Sequence, residues 1–348
     1  MALAVDTSSL LKPGAEGAPL LAVNDLTVEF KTRAGPLRAV NHISFSVGKG
    51  NILAILGESG SGKSMLLKTI LGIQSGAGKV TGEIVMQDTN LLSLSPKERQ
   101  ATRGSWVSMI FQNPMTALDP VYTVEQQIVE TIRRHTTLTK GEARERALEM
   151  LRLVQIPSPE QRLKSYPFEC SGGMRQRIVV AMALACNPSL LLADEPTTAL
   201  DVTVQARVLD LIRDVQKKLE MSVILVTHDI AVAAEIADEV IVMYAGRIVE
   251  QGPIRTILRD PRHPYTRGLL GANVKPGQHE RPLAIPGSPP NLAGIPNCCT
   301  FAPRCTLAEA RCWQAVPVLS PISEGHVARC VLAKDDNARL ALPLASRA

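Results

Sequence analysis

The eight residues GESGSGKS, at positions 57–64, decide the fold of this chain. They fill the pattern G-x-x-x-x-G-K-[ST] and stand between a short apolar run, residues 52–56, and a helix-forming stretch that begins near Lys63. Glycine adopts backbone angles that other residues avoid, so successive N–H groups of such a loop can point into one concavity and bind phosphate oxygens. The stretch therefore predicts a strand, a phosphate-binding loop and a helix whose N-terminus adds partial positive charge.

Each residue of this loop has a predicted role in binding a nucleoside triphosphate. Lys63 is expected to reach the terminal phosphates, and the hydroxyl of Ser64 is expected to ligate Mg²⁺. The other members are expected to surround the phosphates; they are Gly57, Glu58, Ser59, Gly60, Ser61 and Gly62. The alternative is a glycine-rich turn with a surface lysine, which does not explain the position of the loop between a strand and a helix.

The spacing of apolar residues outside the loop predicts an α/β fold. Two segments alternate apolar and polar residues, as half-buried strands do; their apolar members are Leu26, Val28, Phe30, Ile43, Phe45 and Val47. Continuous apolar runs at residues 190–193, 223–226 and 240–243 are typical of buried strands, and residues 142–154 have helical spacing. Strands that alternate with helices indicate a mostly parallel sheet with helices on its faces.

Composition limits the class of protein. With 45% hydrophobic and 20% charged residues among 348, the chain is typical of globular proteins. Aromatic residues amount to 3%, which argues against a nucleic-acid binder built from stacking platforms, and the net charge of +5 fits an anionic ligand or a membrane-proximal partner. The longest apolar run, residues 178–186, is far shorter than the roughly 20 residues that cross a bilayer. The N-terminus shows no secretory signal, so we expect a cytosolic protein.

Two adjacent carboxylates follow one of the predicted strands. Residues 190–193, LLLA, lead to Asp194 and Glu195, and ligands of open α/β sheets bind at the carboxyl ends of strands. Asp194 is expected to hold Mg²⁺ through water, and Glu195 is expected to accept the proton of an attacking water. The alternative is an acidic cap on the helix that follows.

Two more polar residues fit the same kind of site. Gln112 follows the apolar stretch 107–111 and is expected to place a water or contact Mg²⁺. His228 follows residues 224–227 and is expected to contact the terminal phosphate. A lone glutamine or histidine is more often structural, so the interpretation depends on the motifs around them.

The segment CSGGMRQR, residues 170–177, adds a family resemblance to these patterns. In order along the chain, the motifs that together resemble the ATP-binding-cassette ATPases are GESGSGKS, Gln112, SGGMRQR, LLLADEP (190–196), residues 199–201 and His228. The resemblance covers residues 21–258. It implies a P-loop NTPase fold with a RecA-like parallel sheet core, an antiparallel β subdomain and a helical subdomain at about residues 113–186.

The resemblance also implies that two cassettes dimerise head to tail with ATP and Mg²⁺ between them. In such a dimer, Ser171, Gly172 and Gly173 of one subunit offer hydrogen-bond donors to the γ-phosphate held by the loop of the other. Asp201 is implied to lie near the same interface and to couple the two ATP sites. One departure is visible, since the family usually has Leu before SGG and this chain has Cys170.

The family further stacks an aromatic ring on adenine, upstream of the phosphate loop. Phe30 is the candidate in this chain, although its spacing from the loop is longer than usual and Leu37 lies closer. Base–aromatic stacking contributes about 1–3 kcal/mol. The competing interpretation is a buried strand phenylalanine.

Two local segments resemble the ATPases of bacterial oligopeptide, dipeptide and nickel importers. They are FQNPMTALDP, residues 111–120, and RHPYT, residues 262–266. The resemblance implies a peripheral ATPase at the cytoplasmic face of the bacterial inner membrane, with two membrane permease subunits, a second paralogous ATPase and an external substrate-binding protein as partners. Residues 112–119 and 122–164 are expected to meet a permease. Peptides are the leading cargo, with nickel, opines or other small solutes as alternatives, and no nucleic acid is implied.

Four cysteines near the C-terminus, Cys299, Cys305, Cys312 and Cys330, have a spacing that resembles the motif that binds a [4Fe-4S] cluster in some of these subunits. Four thiolates suit either zinc or an iron–sulfur cluster. The C-x₂₋₄-C knuckles usual for zinc are absent, which favours the cluster, and Cys298 is a spare neighbour. Unligated thiols in a loop-rich segment are the alternative.

These patterns predict a division of the chain into a tail at residues 1–20, an ATPase domain at 21–258, a C-terminal extension with the cysteines at 259–333, and a second tail at 334–348. Proline and glycine are dense from residue 253 to 303, which marks the boundary before the extension. Three other functions compete with the importer ATPase: a soluble cassette ATPase acting on DNA or ribosomes, a P-loop kinase, and a cluster-binding regulator.

Overall fold

The computed structural model describes residues 18–74, 78–112, 117–197, 202–272 and 285–335. Contacts between Cα atoms divide the chain into two compact units. The first unit falls within Met1–Gly48, Leu53–Leu92 and Thr227–Ala348, and the second within Lys49–Ile52 and Ser93–Val226.

Strands and helices alternate along much of the described chain. The strands β1 to β12 span Leu21–Thr32, Gly35–Val47, Ile52–Leu56, Lys79–Met86, Thr89–Asn90, Val107–Ile110, Leu190–Asp194, Ser222–Thr227, Glu239–Tyr244, Arg247–Pro253, Ser320–Ser323 and His326–Ala328. The helices α1 to α11 span Lys63–Leu71, Pro96–Thr102, Val124–His135, Lys140–Leu153, Pro159–Leu163, Gly172–Leu184, Val202–Leu219, Ile230–Ile236, Ile254–Arg259, Pro264–Gly271 and Ala310–Gln314.

The first unit contains an antiparallel sheet with the strand order β2-β1-β4-β5. The alternating segments of the sequence form β1 and β2, as predicted, and Leu26 lies opposite Ile43 in their register. Both side chains are fully buried, and so is Phe45 on the same face. The alternation of apolar and polar residues in β1 and β2 therefore corresponds to a sheet that packs one face on the core.

The same unit contains strands in the order β11-β12-β10-β9-β3, with β3 parallel to β9. Every residue of β3 is buried, as the continuous apolar run predicts, and Leu53 pairs with Glu239 of β9. The hairpin β11–β12 adds to the edge at β10, where Gln251 pairs with Val327. The phosphate loop therefore leaves the carboxyl end of a buried parallel strand.

The second unit has the parallel strand order β6-β7-β8, and the predicted apolar runs form β7 and β8. Its predicted helix at 142–154 begins two residues earlier, at Lys140. Thr139 explains this start because it forms a capping box with Glu142: the Thr139 hydroxyl accepts the Glu142 N–H, and the Glu142 carboxylate accepts the Thr139 N–H.

The apolar run 178–186 lies in and just after α6, and its members Ile178, Val180 and Leu184 are fully buried in the second unit. Across the part of the chain that the structure describes, no helix combines the length and apolar character needed to span a bilayer. The run is a core helix segment.

Candidate functional site

The phosphate loop connects β3 to α1, and its backbone requires glycine. Gly60 and Gly62 have φ of +79° and +102°, in the left-handed region that L side chains rarely adopt. A Cβ atom at Gly62 would also collide with the carbonyl oxygen of Ala39. Gly62 is the N-cap of α1, so the turn delivers Lys63 and Ser64 to the first helical turn. The loop therefore presents a helix N-terminus, which favours an anion.

The side chain of Lys63 curls back into this loop. It is buried, and its Nζ donates hydrogen bonds to the carbonyl oxygens of Gly57, at 2.6 Å, and Glu58, at 2.9 Å. The ammonium group is thus held at the N-terminal end of α1, on the side of the residues predicted to surround the phosphates.

Glu58 is held by two residues that the sequence analysis did not assign. Its carboxylate accepts two hydrogen bonds from the guanidinium of Arg304, and its backbone N–H donates to the hydroxyl of Tyr265 at 2.8 Å. The RHPYT segment, which contains Tyr265, carried only a family resemblance. Arg304 stands between two of the predicted cluster cysteines and had no motif of its own.

The two adjacent carboxylates sit at the end of β7 in the second unit. Asp194 is the last residue of the strand and is buried. Glu195 turns away from the strand with φ of +47°, and its N–H donates to the carbonyl of Val226. Its Oε2 accepts a hydrogen bond of 3.1 Å from Nε2 of Gln112. The fold thus brings together Gln112 and Glu195, two residues that the sequence separates by 83 positions.

The segment CSGGMRQR, residues 170–177, is called the signature segment below. It leads into α6, and Ser171 caps this helix. The Ser171 hydroxyl accepts the N–H of Met174 at 3.3 Å, while Ser171 and Gly172 are exposed. Cys170 is buried, and burial raises the pKa of its thiol. The helix N-terminus and its exposed glycine are therefore accessible from outside this chain, whereas the residue that departs from the family pattern faces inward.

Gln176 of the same segment is a further residue that the sequence analysis missed. It is fully buried, and its Nε2 donates a hydrogen bond to the carbonyl oxygen of Pro196, the residue after Glu195. No hydrogen-bond partner of its Oε1 is found among the described residues. The signature helix is thus tied to the backbone beside Glu195 within one unit.

Three more predicted site residues lie after a strand, within a strand and outside the described residues. His228 follows β8 and is exposed. Phe30 is half-buried in β1, where it pairs with Leu37 and its ring covers Gly78. Asp201 falls outside the described residues, as do residues 113–116 of the segment after Gln112.

The four predicted cluster cysteines, Cys299, Cys305, Cys312 and Cys330, line one pocket of the first unit. Burial raises the pKa of Cys305 to about 11 and that of Cys330 to about 12, and the neighbouring thiols add to both shifts. The N–H of Leu332 points at the Cys330 sulfur, 3.4 Å away. Within the described ranges, no three His, Cys, Asp or Glu side chains lie close enough together to hold a single metal ion.

Comparison with known proteins places these features in a family. The ABC transporter family matches residues 40–198, and the family described as oligopeptide/dipeptide transporter, C-terminal region, matches residues 249–312. The oligopeptide transport ATP-binding protein OppD of Bacillus subtilis is 46% identical over 334 residues, which cover 94% of this chain and 93% of that protein. The chain belongs to the ABC transporter family.

Other relatives of this ABC protein support the same assignment. The dipeptide transport ATP-binding protein DppD of Bacillus subtilis is 47% identical over 316 residues, which cover 90% of this chain and 94% of that protein. The ATP-binding cassette MJ0796, solved as a dimer in a post-hydrolysis state bound to ADP and Pi, has a TM-score of 0.60 and 27% identity, and covers 68% of this chain and 99% of its own.

The ABC family confirms the predicted fold class, with its parallel core strands and antiparallel sheet, and the prediction of an ATPase. ATP and Mg²⁺ fit the cassette. The roles given to single residues stay predictions, as do the domain boundaries. The iron–sulfur cluster has no support from these relatives. The related structural observation is that the four predicted cysteine ligands line one pocket.

Proposed function

We propose that this chain is the ATP-hydrolysing subunit of a peptide importer. The observation that carries the proposal is the match over nearly the whole chain to relatives named as oligopeptide and dipeptide transport ATP-binding proteins. The match of residues 249–312 to the oligopeptide/dipeptide transporter C-terminal region adds support. Peptides are therefore the proposed cargo class.

In the proposed reaction, the loop residues bind the triphosphate of ATP and position it for attack by water. Lys63 contacts the terminal phosphates, and Ser64 and Asp194 hold Mg²⁺. Glu195 accepts the proton of the attacking water, and Gln112 orients that water or contacts Mg²⁺. The hydrogen bond from Gln112 to Glu195 supports a shared role of the two side chains.

We propose that His228 contacts the γ-phosphate and that Phe30 stacks on adenine. The support for His228 is its exposed position at the carboxyl end of β8, where ligands of such sheets bind. Phe30 is only half-buried where it pairs with Leu37 in the β1–β2 register, so part of its ring is exposed.

ATP closes a head-to-tail dimer with a second, paralogous ATPase in this proposal. Ser171, Gly172 and Gly173 donate hydrogen bonds to the γ-phosphate held by that partner, and Asp201 lies near the interface and couples the two sites. Support comes from the exposed N-terminus of α6, a helix long enough to carry an appreciable dipole. Hydrolysis then removes the γ-phosphate and opens the dimer.

The proposed assembly places this subunit at the cytoplasmic face of the bacterial inner membrane, against two permease subunits, with an external binding protein delivering the cargo. The surface of the second unit around 112–164 is the proposed permease contact. It is supported by exposed apolar and aromatic side chains: Phe111 is 42%, Val121 69% and Tyr122 52% exposed. Exposed apolar side chains that form a contiguous patch mark interaction surfaces, whereas single ones are common on any protein.

We also propose that Cys299, Cys305, Cys312 and Cys330 hold a [4Fe-4S] cluster. They belong to a proposed C-terminal extension at residues 259–333. This extension follows the proposed ATPase domain at 21–258, whose helical subdomain is at 113–186. The four thiols line one apolar pocket, and a backbone N–H points at a sulfur, an arrangement common around cluster sulfurs.

The cluster is tested on anaerobically purified full-length protein. Iron and acid-labile sulfide near four atoms of each per chain, with a broad charge-transfer absorbance, are expected. Cys305→Ser is expected to reduce iron content sharply, while Cys186→Ser, a change at a cysteine away from the pocket, keeps it. Stoichiometric zinc, or no metal at all, contradicts the proposal.

Glu195→Gln tests the proposed ATPase mechanism. An amide cannot accept the proton of the attacking water, so hydrolysis by the assembled transporter is expected to fall by about 10²–10⁴-fold while ATP still binds. Phosphate release measures turnover, and the fluorescence of a labelled ATP analogue measures binding. Glu83→Gln, at an exposed carboxylate of β4, is the matched control. Normal turnover in the Glu195→Gln variant contradicts the role of Glu195 as the general base.

A further inference from the structure

The cysteine-rich segment reaches the phosphate loop through one side chain, Arg304. Its Nη1 and Nη2 donate to the two carboxylate oxygens of Glu58 at 2.6 and 3.1 Å. The Arg304 side chain is 5% exposed and that of Glu58 is 27% exposed. A bidentate arginine–carboxylate pair of this kind is stronger and more directional than an ordinary surface ion pair.

Arg304 has little freedom to leave this position. Its Nε donates to the carbonyl of Pro286 at 2.8 Å, and its guanidinium lies over the ring of Tyr244, 5.8 Å from the centroid. Tyr244 in turn packs on Tyr265 and Phe301, with ring centroids 4.6 and 5.3 Å away. A cluster of aromatic rings therefore supports both residues that hold Glu58, the guanidinium and the Tyr265 hydroxyl.

The charge of Glu58 bears on ligand binding because this residue belongs to the predicted phosphate loop. The loop binds a ligand with several negative charges, and an uncompensated carboxylate in it repels that ligand. Arg304 neutralises Glu58 and turns its oxygens toward the guanidinium. The hydrogen bond with Glu58 also raises the pKa of the guanidinium, which therefore stays charged.

The position of Arg304 depends on two of the pocket cysteines. The 3₁₀ turn Ala302–Arg304 stands between Cys299 and Cys305. The N–H of Ala302 donates to the carbonyl of Cys299 at 3.1 Å, and the N–H of Cys305 donates to the carbonyl of Ala302 at 3.2 Å. A shift of either cysteine backbone is therefore transmitted through one tight turn to the guanidinium.

We propose that Arg304 is a positioning residue for the phosphate loop, and that through it the state of Cys299 and Cys305, ligated or free, sets the affinity for ATP. The inference rests on the proposed function, because it takes the loop as the ATP site and the pocket as a ligand site. The cysteine-rich segment then acts as a regulatory element of the ATPase as well as a structural one.

A double-mutant cycle on the full-length chain tests the first part. Arg304→Gln leaves the Glu58 carboxylate unpaired beside the phosphates and is expected to weaken binding of a fluorescent ATP analogue at least about fivefold, the lower end of typical coupling between sites. Adding Glu58→Gln to Arg304→Gln removes the unpaired charge and is expected to restore most of the affinity. Arg311→Gln, in the same segment but exposed and paired with Glu309, is the control.

The rescue separates positioning from a purely structural role. If Arg304 only holds its own segment together, Arg304→Gln lowers the melting temperature, and Glu58→Gln does not restore ATP binding; that result overturns the proposal. If Arg304→Gln does not fold, Arg304→Lys serves instead, because it keeps the charge but not the two parallel hydrogen bonds. It is expected to weaken binding less, and Glu58→Gln is again expected to cancel the effect.

Cys305→Ser tests the second part. It is expected to change the ATP affinity of the wild-type chain but to have no further effect in the Arg304→Gln background, whereas Cys186→Ser is neutral in both. An equal change in both backgrounds, or none in the wild type, overturns the coupling through Arg304. Lys63→Ala is the reference for the site itself: if it binds ATP as the wild type does, the assignment of the loop fails and the inference fails with it.

Discussion

Single residues in this protein act through backbone groups as much as through their side-chain chemistry. Gln176 is an example, because its amide holds the carbonyl of Pro196 immediately after Glu195. The Glu195 backbone has φ of +47°, a conformation that is costly outside glycine and needs support from its surroundings. The hydrogen bond from Gln176 is one such support, and it comes from the helix that carries the signature.

We predict that Gln176→Leu lowers turnover more than it raises KM for ATP. Leucine fills a similar volume but leaves the Pro196 carbonyl without its donor, which costs about 1–3 kcal/mol of stability and loosens the position of Glu195. Steady-state kinetics of the assembled transporter give kcat and KM, and denaturant unfolding gives the stability. Gln100→Leu, at an exposed position of α2, is expected to change neither. A loss of stability with unchanged kcat contradicts a role in positioning Glu195.

At the scale of elements, helix ends decide where functional groups lie. The short helix α10 is capped by His263, whose Nδ1 accepts the N–H of Tyr265 at 3.1 Å, while the Tyr265 hydroxyl accepts from Glu58. His263 is buried, and burial lowers its pKa from 6.5 to about 3. The cap therefore requires the neutral imidazole, since a protonated ring cannot accept this hydrogen bond.

We predict that the first unit loses stability as the pH falls below about 6. A histidine whose pKa is lower in the folded state stabilises the fold above its unfolded pKa of 6.5, and this contribution is lost as the pH falls toward 3. His263→Asn keeps an acceptor for the Tyr265 N–H but cannot be protonated, so its melting temperature is expected to depend less on pH between 7 and 5. His42→Asn, at an exposed histidine, serves as the control. Identical pH profiles for His263→Asn and the wild type contradict the prediction.

At the scale of the whole molecule, the C-terminal segment is joined to the core sheet of the first unit by a buried carboxylate. Glu250 in β10 accepts the N–H of Arg262 at 2.6 Å, the N–H of His263 at 2.9 Å and Nε2 of His326 in β12 at 2.9 Å. The Glu250 and His326 side chains are 0% and 1% exposed. One residue thus fixes the loop before α10 and the hairpin that precedes Cys330.

Removing this carboxylate is expected to destabilise the first unit strongly. Glu250→Ala leaves three donors without an acceptor, two of them buried, and breaking a buried pair of this kind costs about 3–5 kcal/mol. Urea unfolding followed by circular dichroism measures the loss, and limited proteolysis reports whether the C-terminal segment is released first. Glu324→Ala, at an exposed residue of the adjacent hairpin turn, is expected to be nearly neutral. If Glu250→Ala lowers the free energy of unfolding by less than about 1 kcal/mol, Glu250 does not hold the C-terminal segment to the core sheet.

Patterns of short range in the chain predicted the local structure well. The run 52–56 forms β3 with the predicted limits, and the glycines of the loop lie where φ is positive, because both depend on neighbouring residues alone. The acidic pair also lies at a strand end as predicted, since the four apolar residues 190–193 form the buried strand and Asp194 is its last residue.

Contacts of long range were beyond prediction from one sequence. Arg304 and Glu58 are 246 positions apart, and neither residue signals the other, because an ion pair leaves no periodic pattern in the chain. The same holds for Gln176 and the carbonyl of Pro196, where one partner is a backbone group that every residue has. By itself the sequence determined the phosphate loop, the acidic pair and the family. Only tertiary packing decided which side chains hold them, because those contacts exist only once distant segments have been brought together.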